Sequence, residues 1–409
     1  MDLANGLEIL QVDGDLDWGS DQNYYFLNPR LLEVEGQNQL KAIKNAGPFS
    51  GSLFLLTSGT TAAHSSRFKW VVLSKDAFLK SARAVNQAMA FDSQTSLSQD
   101  FCQDFQGVND VWLHLLPDFH VGGLAVRARC YLSGAKWVTL SRWDVSEAIQ
   151  AMERHQVTLL SLVPTQVFDL CQNQVRCPAS VRTALVGGGA LSPALYQRAR
   201  ELGWPIRMTY AMAEACSTVA LTPLTPYLES SICLPDFEIL PHWEVRSAES
   251  LWIKGESLLT AYIECDSGGK YSVFDPKVEG WLKTTDRGVV TGRSLQLLGR
   301  TVDLIKIGGE KVEMGRLQQI LDGIRVQLSI IADLALLPFP DERLGHVIHL
   351  LSDERLSDAQ AMAVRAAYDA QVLPFEKIRQ WHRIDQIPRT DLRKLIISRS
   401  LEKVGGLGS

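Results

Sequence analysis

The chain has 409 residues, 46% of them hydrophobic, enough to bury a large core and to build two or more domains. Its 41 Lys+Arg against 46 Asp+Glu leave a net charge of −5, which argues against a general nucleic-acid binder or a membrane-surface protein. No apolar run approaches the roughly 20 residues that cross a bilayer, so membrane insertion is not expected.

The opening Met1-Asp2-Leu3-Ala4-Asn5-Gly6 lacks the basic and then apolar pattern of a secretory signal, and a cytoplasmic location is expected. The cysteines, Cys102, Cys130, Cys171, Cys177, Cys216, Cys233 and Cys265, are odd in number and include no Cys-x-x-Cys pair. A reduced protein explains them better than a disulfide framework or a zinc site. No His-Glu-x-x-His spacing occurs, so a required metal is expected to arrive with a substrate.

In chain order, the apolar run 53–56 predicts a short buried strand that enters Thr57-Ser58-Gly59-Thr60-Thr61. Four hydroxyl donors around one glycine suit a loop that holds phosphate oxygens, although the spacing of a P-loop is absent. Ser74 is a cap for a helix whose apolar side is Phe78, Ala82, Val85 and Met89. Residues 93–109 read as a polar, exposed excursion. Strand-like runs follow at 111–116, 159–163 and 183–186, with a helix between Ser192-Pro193 and Gly203.

Helices alternating with short buried strands predict an α/β chain with mainly parallel pairing, whose ligands lie beyond the carboxyl ends of the strands. Thr57, His120, Thr165, Gly187 and Tyr210 each sit beside such an end and are expected to share one rim. From about residue 233, Val245, 251–253 and 295–298 read as strands of a small β-subdomain. A last section begins near 301–303, with a strand at 304–307 and then a helix carrying Leu317, Ile320, Leu321 and Ile324 on one face. The expected division is a large N-terminal unit at 1–301, a hinge at 302–303 and a small mobile α+β unit at 304–409.

Six segments carry further signal: Leu116-Pro117-Asp118-Phe119-His120-Val121-Gly122-Gly123; Gly187-Gly188-Gly189-Ala190; Tyr210-Ala211-Met212-Ala213-Glu214; Gly280-Trp281-Leu282-Lys283-Thr284-Thr285-Asp286; Gly299-Arg300 through Gly308-Gly309-Glu310-Lys311; and Pro388-Arg389-Thr390-Asp391-Leu392-Arg393-Lys394. With the hydroxyl loop and Lys69, this series resembles the adenylate-forming superfamily of acyl-CoA ligases, luciferases and peptide-synthetase adenylation domains. The resemblance runs from about 53 to 395, and within the superfamily the Phe-His-Val-Gly-Gly stretch is most similar to the o-succinylbenzoate–CoA ligases of menaquinone and phylloquinone synthesis.

The resemblance implies a two-step reaction in which a carboxylic acid attacks the α-phosphate of ATP and the thiol of coenzyme A then displaces AMP. It implies that Thr57, Ser58, Gly59, Thr60, Thr61 and Lys69 hold the β- and γ-phosphates, and that Glu214 binds Mg²⁺ through a hard carboxylate oxygen. It assigns Tyr210 and the wall Gly187, Gly188, Gly189 and Ala190 to adenine, and Asp286 with Arg300 to the ribose. Lys394 is expected to bridge the attacking carboxylate and the α-phosphate, a task suited to a compact ammonium. After domain rotation, Gly308 and Gly309 would line the thiol tunnel. His120, Gly122, Gly123 and Thr165 are expected at the acid pocket. Arg127 and Arg129, alternating with Val126 and Ala128, are candidates for the second carboxylate of a dicarboxylic acid.

Several positions depart from the family pattern. Ala211, Ala213, Thr285 and Arg393 replace residues usual there, and the early phosphate loop implies a truncated first subdomain. The chemistry-bearing Glu214, Asp286, Arg300 and Lys394 are retained. Three readings are therefore separable: an acid–CoA ligase, an adenylating enzyme that loads a carrier protein in trans, and a non-catalytic nucleotide-binding protein. Oligomeric state, a homo-oligomer included, and the identity of the acid stay open at this point.

Overall fold

Runs of four apolar residues too short for a helix become strands when both faces of a sheet are covered, and that rule builds the centre of this chain. The computed structural model describes residues 16–27, 43, 49–57, 67–91, 110–224, 234–266, 270–308, 310–390 and 394–405. The chain begins with β1 (Tyr24–Phe26), β2 (Ser52–Thr57), β3 (Arg67–Ser74) and α1 (Lys75–Phe91). An alternating series follows: β4 (Val111–His114), α2 (Val121–Ser133), β5 (Lys136–Thr139), α3 (Val145–Arg154), β6 (Leu159–Leu162), α4 (Pro164–Gln172), β7 (Thr183–Val186), α5 (Pro193–Glu201) and β8 (Ile206–Met212).

A 3₁₀ turn at Ala213–Ala215 leads to β9 (Ser217–Leu221), β10 (Phe237–Ile239), β11 (Trp243–Ser247), β12 (Leu251–Gly255), β13 (Ala261–Asp266), β14 (Tyr271–Phe274), β15 (Leu282–Lys283), β16 (Asp286–Thr291) and β17 (Ser294–Arg300). A second 3₁₀ turn, Thr301–Asp303, falls where the sequence places a hinge. Beyond it come β18 (Leu304–Ile307), β19 (Glu310–Glu313), α6 (Met314–Gln327), β20 (Leu334–Asp341), β21 (Gly345–Ser352), α7 (Asp358–Asp369), β22 (Ile378–Arg383) and α8 (Ile397–Gly405).

Among the described residues, the largest sheet has nine strands in the order β16-β17-β10-β9-β8-β7-β6-β4-β5. Pairing from β5 through β4, β6 and β7 to β8 is parallel, as expected, while β8 to β16 continues antiparallel. Successive strand residues point to opposite faces. Trp112, Leu159 and Leu185 enter one core with α1 and α2, whereas Leu113, Leu160 and Val186 enter the other with α4 and α5.

Helix starts follow their caps. The Ser74 Oγ accepts from the Ala77 amide at 3.0 Å, and Ser192 accepts from the Leu195 amide at 3.3 Å. A second sheet, β1-β2-β3-β13-β14, lies beside the first, and β11-β12-β15 form a small third sheet. The unit after residue 303 has a core of its own, with Leu334 and Leu336 on the α6 and α7 side and Ala335 and Leu337 on the α8 side. It touches the rest through α5 and α6, where the Arg325 guanidinium lies 3.8 Å from the Phe168 ring centroid.

Candidate active site

The antiparallel register of β16 on β17 sets Asp286 directly beside Arg300. The Arg300 Nε donates to Asp286 Oδ1 at 2.8 Å, and the Tyr210 hydroxyl donates to Oδ2 at 2.9 Å. Tyr210 lies inside β8 rather than past its end, as the sequence reading had it, and is 6% exposed. Burial and the neighbouring Asp286 charge push its phenol well above the ordinary range. Burial works against the Arg300 charge, but the Asp286 carboxylate outweighs it and the guanidinium pKa is raised.

A second group forms where the 3₁₀ turn after β8 meets β13 and β3. The Tyr262 hydroxyl donates to Glu214 Oε1 at 2.8 Å, and the Lys69 ammonium sits 3.4 Å from the centroid of the Tyr262 ring. Lys69 belongs to β3, paired opposite Glu264 of β13, so it is held by a sheet rather than by a loop. Burial lowers its pKa, against the opposing pull of Glu214 and Glu264. Tyr262 gave no signal in the sequence beyond strand periodicity. The Glu214 Oε1 bond leaves Oε2 as a hard oxygen, and one such oxygen with substrate phosphates completes the coordination Mg²⁺ prefers.

Lys394 joins these groups from the far end of the chain. Its amide donates to Thr390 Oγ1 at 3.1 Å and its carbonyl accepts from the Thr390 amide at 2.8 Å. Arg389, beside Thr390, makes two bonds of 2.8 Å to the Asp333 carboxylate and one of 2.9 Å to the Leu334 carbonyl at the start of β20. The Lys394 side chain keeps solvent access, yet protein crowding and then the Arg300 charge lower its pKa, while Asp286, Asp303 and Glu214 act in the opposite direction. Asp303 shows the reciprocal effect: burial raises it, and Arg300 and Lys394 pull it down. Arg300, Asp286, Asp303 and Glu214 are thus each within electrostatic reach of Lys394.

The acid-side residues need one correction. Residues 121–133 form α2, so Arg127 and Arg129 do not alternate with apolar neighbours as on a strand, and both are buried. The Arg127 Nη1 donates to Asp118 Oδ2 at 2.9 Å, and the His114 Nε2 lies 3.2 Å from Asp118 Oδ1. Arg129 contrasts with this. Among the described residues no carboxylate lies in salt-bridge reach of it; its Nη2 donates to Thr218 Oγ1 at 3.3 Å, and its Nε has no partner. Burial brings its pKa down to about 10.

His120 is the residue before α2, with its ring 4.6 Å from that of Phe119, and Gly122 and Gly123 open the helix. A Cβ at Gly123 would lie 2.3 Å from the Pro117 carbonyl and 2.4 Å from that of Leu116, so the tight entry of the loop requires glycine. Thr165 lies in the first turn of α4, and Gly187, Gly188, Gly189 and Ala190 form the turn after β7. Gly308 follows β18 with φ of +59°, its amide donating to the Leu344 carbonyl at 2.8 Å. Ser58, Gly59, Thr60, Thr61, Gly309 and Arg393 lie outside the described residues, as does the excursion at 93–109, and Thr57 is the last residue of β2. Cys130 and Cys216, next to Arg129 and two residues past Glu214, are buried and free.

A family model described as AMP-binding enzyme matches residues 15–242. The chain is 29% identical over 309 residues to the 2-succinylbenzoate–CoA ligase of Bacillus pumilus, covering 70% of this chain and 59% of that protein. It is 30% identical over 253 residues to the ligase of that name from Bacillus subtilis, covering 59% and 50%. The corresponding Staphylococcus aureus protein aligns over 401 residues at 25% identity, covering 94% and 74%. The chain therefore spans between half and three quarters of the length of these relatives. The fold is similar to that of o-succinylbenzoate CoA synthetase from Bacillus subtilis in complex with the acyl-adenylate intermediate OSB-AMP, with a TM-score of 0.70 and 22% identity over 92% of this chain and 82% of that one.

Proposed function

The chain belongs to the AMP-binding enzyme family, and from that premise we propose that it is an AMP-forming acid–CoA ligase acting on an aromatic keto-dicarboxylate such as 2-succinylbenzoate. The observation that carries this reading is the convergence on Asp286 of Tyr210 and Arg300, with Lys394 from the C-terminal unit in reach of the same charges.

In the first half-reaction the acid carboxylate attacks the ATP α-phosphate and pyrophosphate leaves. Both reactants are anionic, so the barrier falls through positioning and through cations aimed at the reacting oxygens. Lys394 is the cation for the α-phosphate and the incoming carboxylate. Asp286 offers the remaining acceptor sites of its two oxygens to the ribose hydroxyls, while Arg300 and Tyr210, bonded to the same oxygens, orient it. Glu214 and Lys69 face the phosphate tail, where Glu214 would hold Mg²⁺ and the bound ion would offset the phosphate charge. In the second half-reaction the coenzyme A thiol attacks the acyl carbonyl and AMP leaves.

The acid specificity rests on Arg129. Arg127 is neutralised by Asp118, whereas Arg129 is a buried cation with no carboxylate beside it among the described residues. An uncompensated buried charge costs several kcal/mol, and a second substrate carboxylate would relieve that cost. Arg129 is therefore proposed as the group that selects a dicarboxylic acid.

Isotope exchange between pyrophosphate and ATP, run with 2-succinylbenzoate and with monocarboxylic aromatic and fatty acids, tests the reading. Exchange is expected only with ATP, Mg²⁺ and the dicarboxylate, and free coenzyme A then yields a thioester. Exchange confined to fatty acids overturns the substrate; adenylate without thioester moves the acceptor to a carrier protein; ATP binding without exchange on any acid ends the enzymatic reading.

A further inference from the structure

At the Thr301–Asp303 turn lies a cleft of about 480 Å³ lined by Arg287, Thr301, Leu304, Glu313 and Arg316 among others. Arg287 is on β16, before the Thr301–Asp303 turn, and Glu313 ends β19, after it. Arg287 Nη1 lies 3.7 Å from Glu313 Oε2, with both side chains largely shielded from solvent.

Gly299, at φ of +114° in β17, makes the approach possible: an ideal Cβ there would lie 1.5 Å from Glu313 Oε1. The carboxylate thus occupies the space a side chain at residue 299 would fill. Glu313, the residue before α6, also has Arg316 in the first turn of that helix contributing to its electrostatics. Arg316 in turn pairs with Glu376, which lies in the same C-terminal unit.

We infer that Arg287 and Glu313, seated over Gly299, are positioning residues that latch the C-terminal unit in the orientation presenting Lys394 to the reacting phosphate. The argument rests on the ligase reading above and on the two-step use of the C-terminal unit that it entails. The pair spans the hinge, so rotation of the unit separates it. Glu313 then retains Arg316, and Arg287, one-third exposed, is taken up by solvent. Neither charge is orphaned, which keeps the latch reversible.

The latch acts on the adenylate half-reaction and not on thioester formation from adenylate already made. Pyrophosphate exchange is measured beside thioester formation from synthetic acyl-adenylate and coenzyme A, for Glu313→Gln, Arg287→Gln and the double swap R287E/E313R. Each single variant is expected to slow exchange about fivefold, the size of a partly buried ion pair, with thioester formation unchanged or faster. The swap is expected to restore exchange to within about twofold.

Equal loss in both half-reactions, or no rescue by the swap in a protein with a native thermal melt, overturns the latch. Limited proteolysis of the whole chain provides a readout independent of activity: Glu313→Gln should speed cleavage at 301–303. If wild-type protein exchanges no acid, the ligase reading fails, and unchanged cleavage in the variant would separately remove the latch.

Discussion

Lys394 is one of few groups in the cleft whose proton matters directly to the proposed chemistry. Lys394→Ala is expected to lower pyrophosphate exchange by roughly a hundredfold or more, the usual cost of removing a charge-stabilising contact. Because crowding and Arg300 lower its pKa, the ammonium is lost as pH rises through a value below the free-lysine range. Exchange should therefore fall on an alkaline limb that begins earlier than a free lysine allows, and Lys394→Arg should move that limb upward while remaining slower. An unshifted limb in the arginine variant would assign the titration to another group. For Arg129→Ala, the KM for the dicarboxylic acid should rise roughly thirtyfold or more while the KM for ATP stays near wild type. These two cations were legible in the sequence to different degrees. Lys394 follows from its motif, but the choice between Arg127 and Arg129 needed the helix, because alternation on a strand treats them alike.

The loop that enters α2 joins His114, Asp118 and Arg127 in one buried group. Burial alone would raise the Asp118 carboxyl, but His114 and Arg127 outweigh it and hold the pKa below the usual carboxylate range. A depressed carboxyl adds stability above its unfolded pKa and loses it as pH falls through the folded one. Asp118→Asn should therefore destabilise by roughly 3–5 kcal/mol near neutral pH, because it removes the carboxylate that pairs with the buried Arg127 guanidinium. It should also flatten the acid side of the stability profile, measured by denaturant melts across pH. Gly123→Ala should destabilise by about 1–3 kcal/mol, since the new Cβ meets two backbone carbonyls that cannot turn away. The sequence marked this element only as Leu-Pro-Asp-Phe-His followed by two glycines. Its ion group was hidden because the partners, at 114, 118 and 127, come from a strand, a loop and a helix.

At the scale of the molecule, the parallel pairing of the central strands was readable from short apolar runs alternating with helices. The antiparallel flank from β8 to β16 was not, since period-two burial is the same for either direction of pairing. The pairing of Lys69 with Glu264 and the approach of Tyr262 to Glu214 likewise depend on β13 returning beside β3 from almost two hundred positions away. Arg325 over Phe168 and the packing of α5 against α6 hold the two units together from the helix side. Arg325→Ala should remove about 0.5–2 kcal/mol of that cohesion, seen as faster proteolysis at 301–303 with little change in the melting of the large unit. Equal cleavage rates would show that this contact does not restrain the C-terminal unit.

The sulfurs of the protein have a bearing on the safety of such chemistry. A mixed anhydride waiting for a thiol will acylate whichever thiolate reaches it first. Cys130, Cys171 and Cys177 are pushed up to about 12 by burial, and Cys216 stands well above its ordinary value. Among the described residues these four thiols stay protonated near neutral pH, so under the proposed reaction they would not capture the acyl-adenylate.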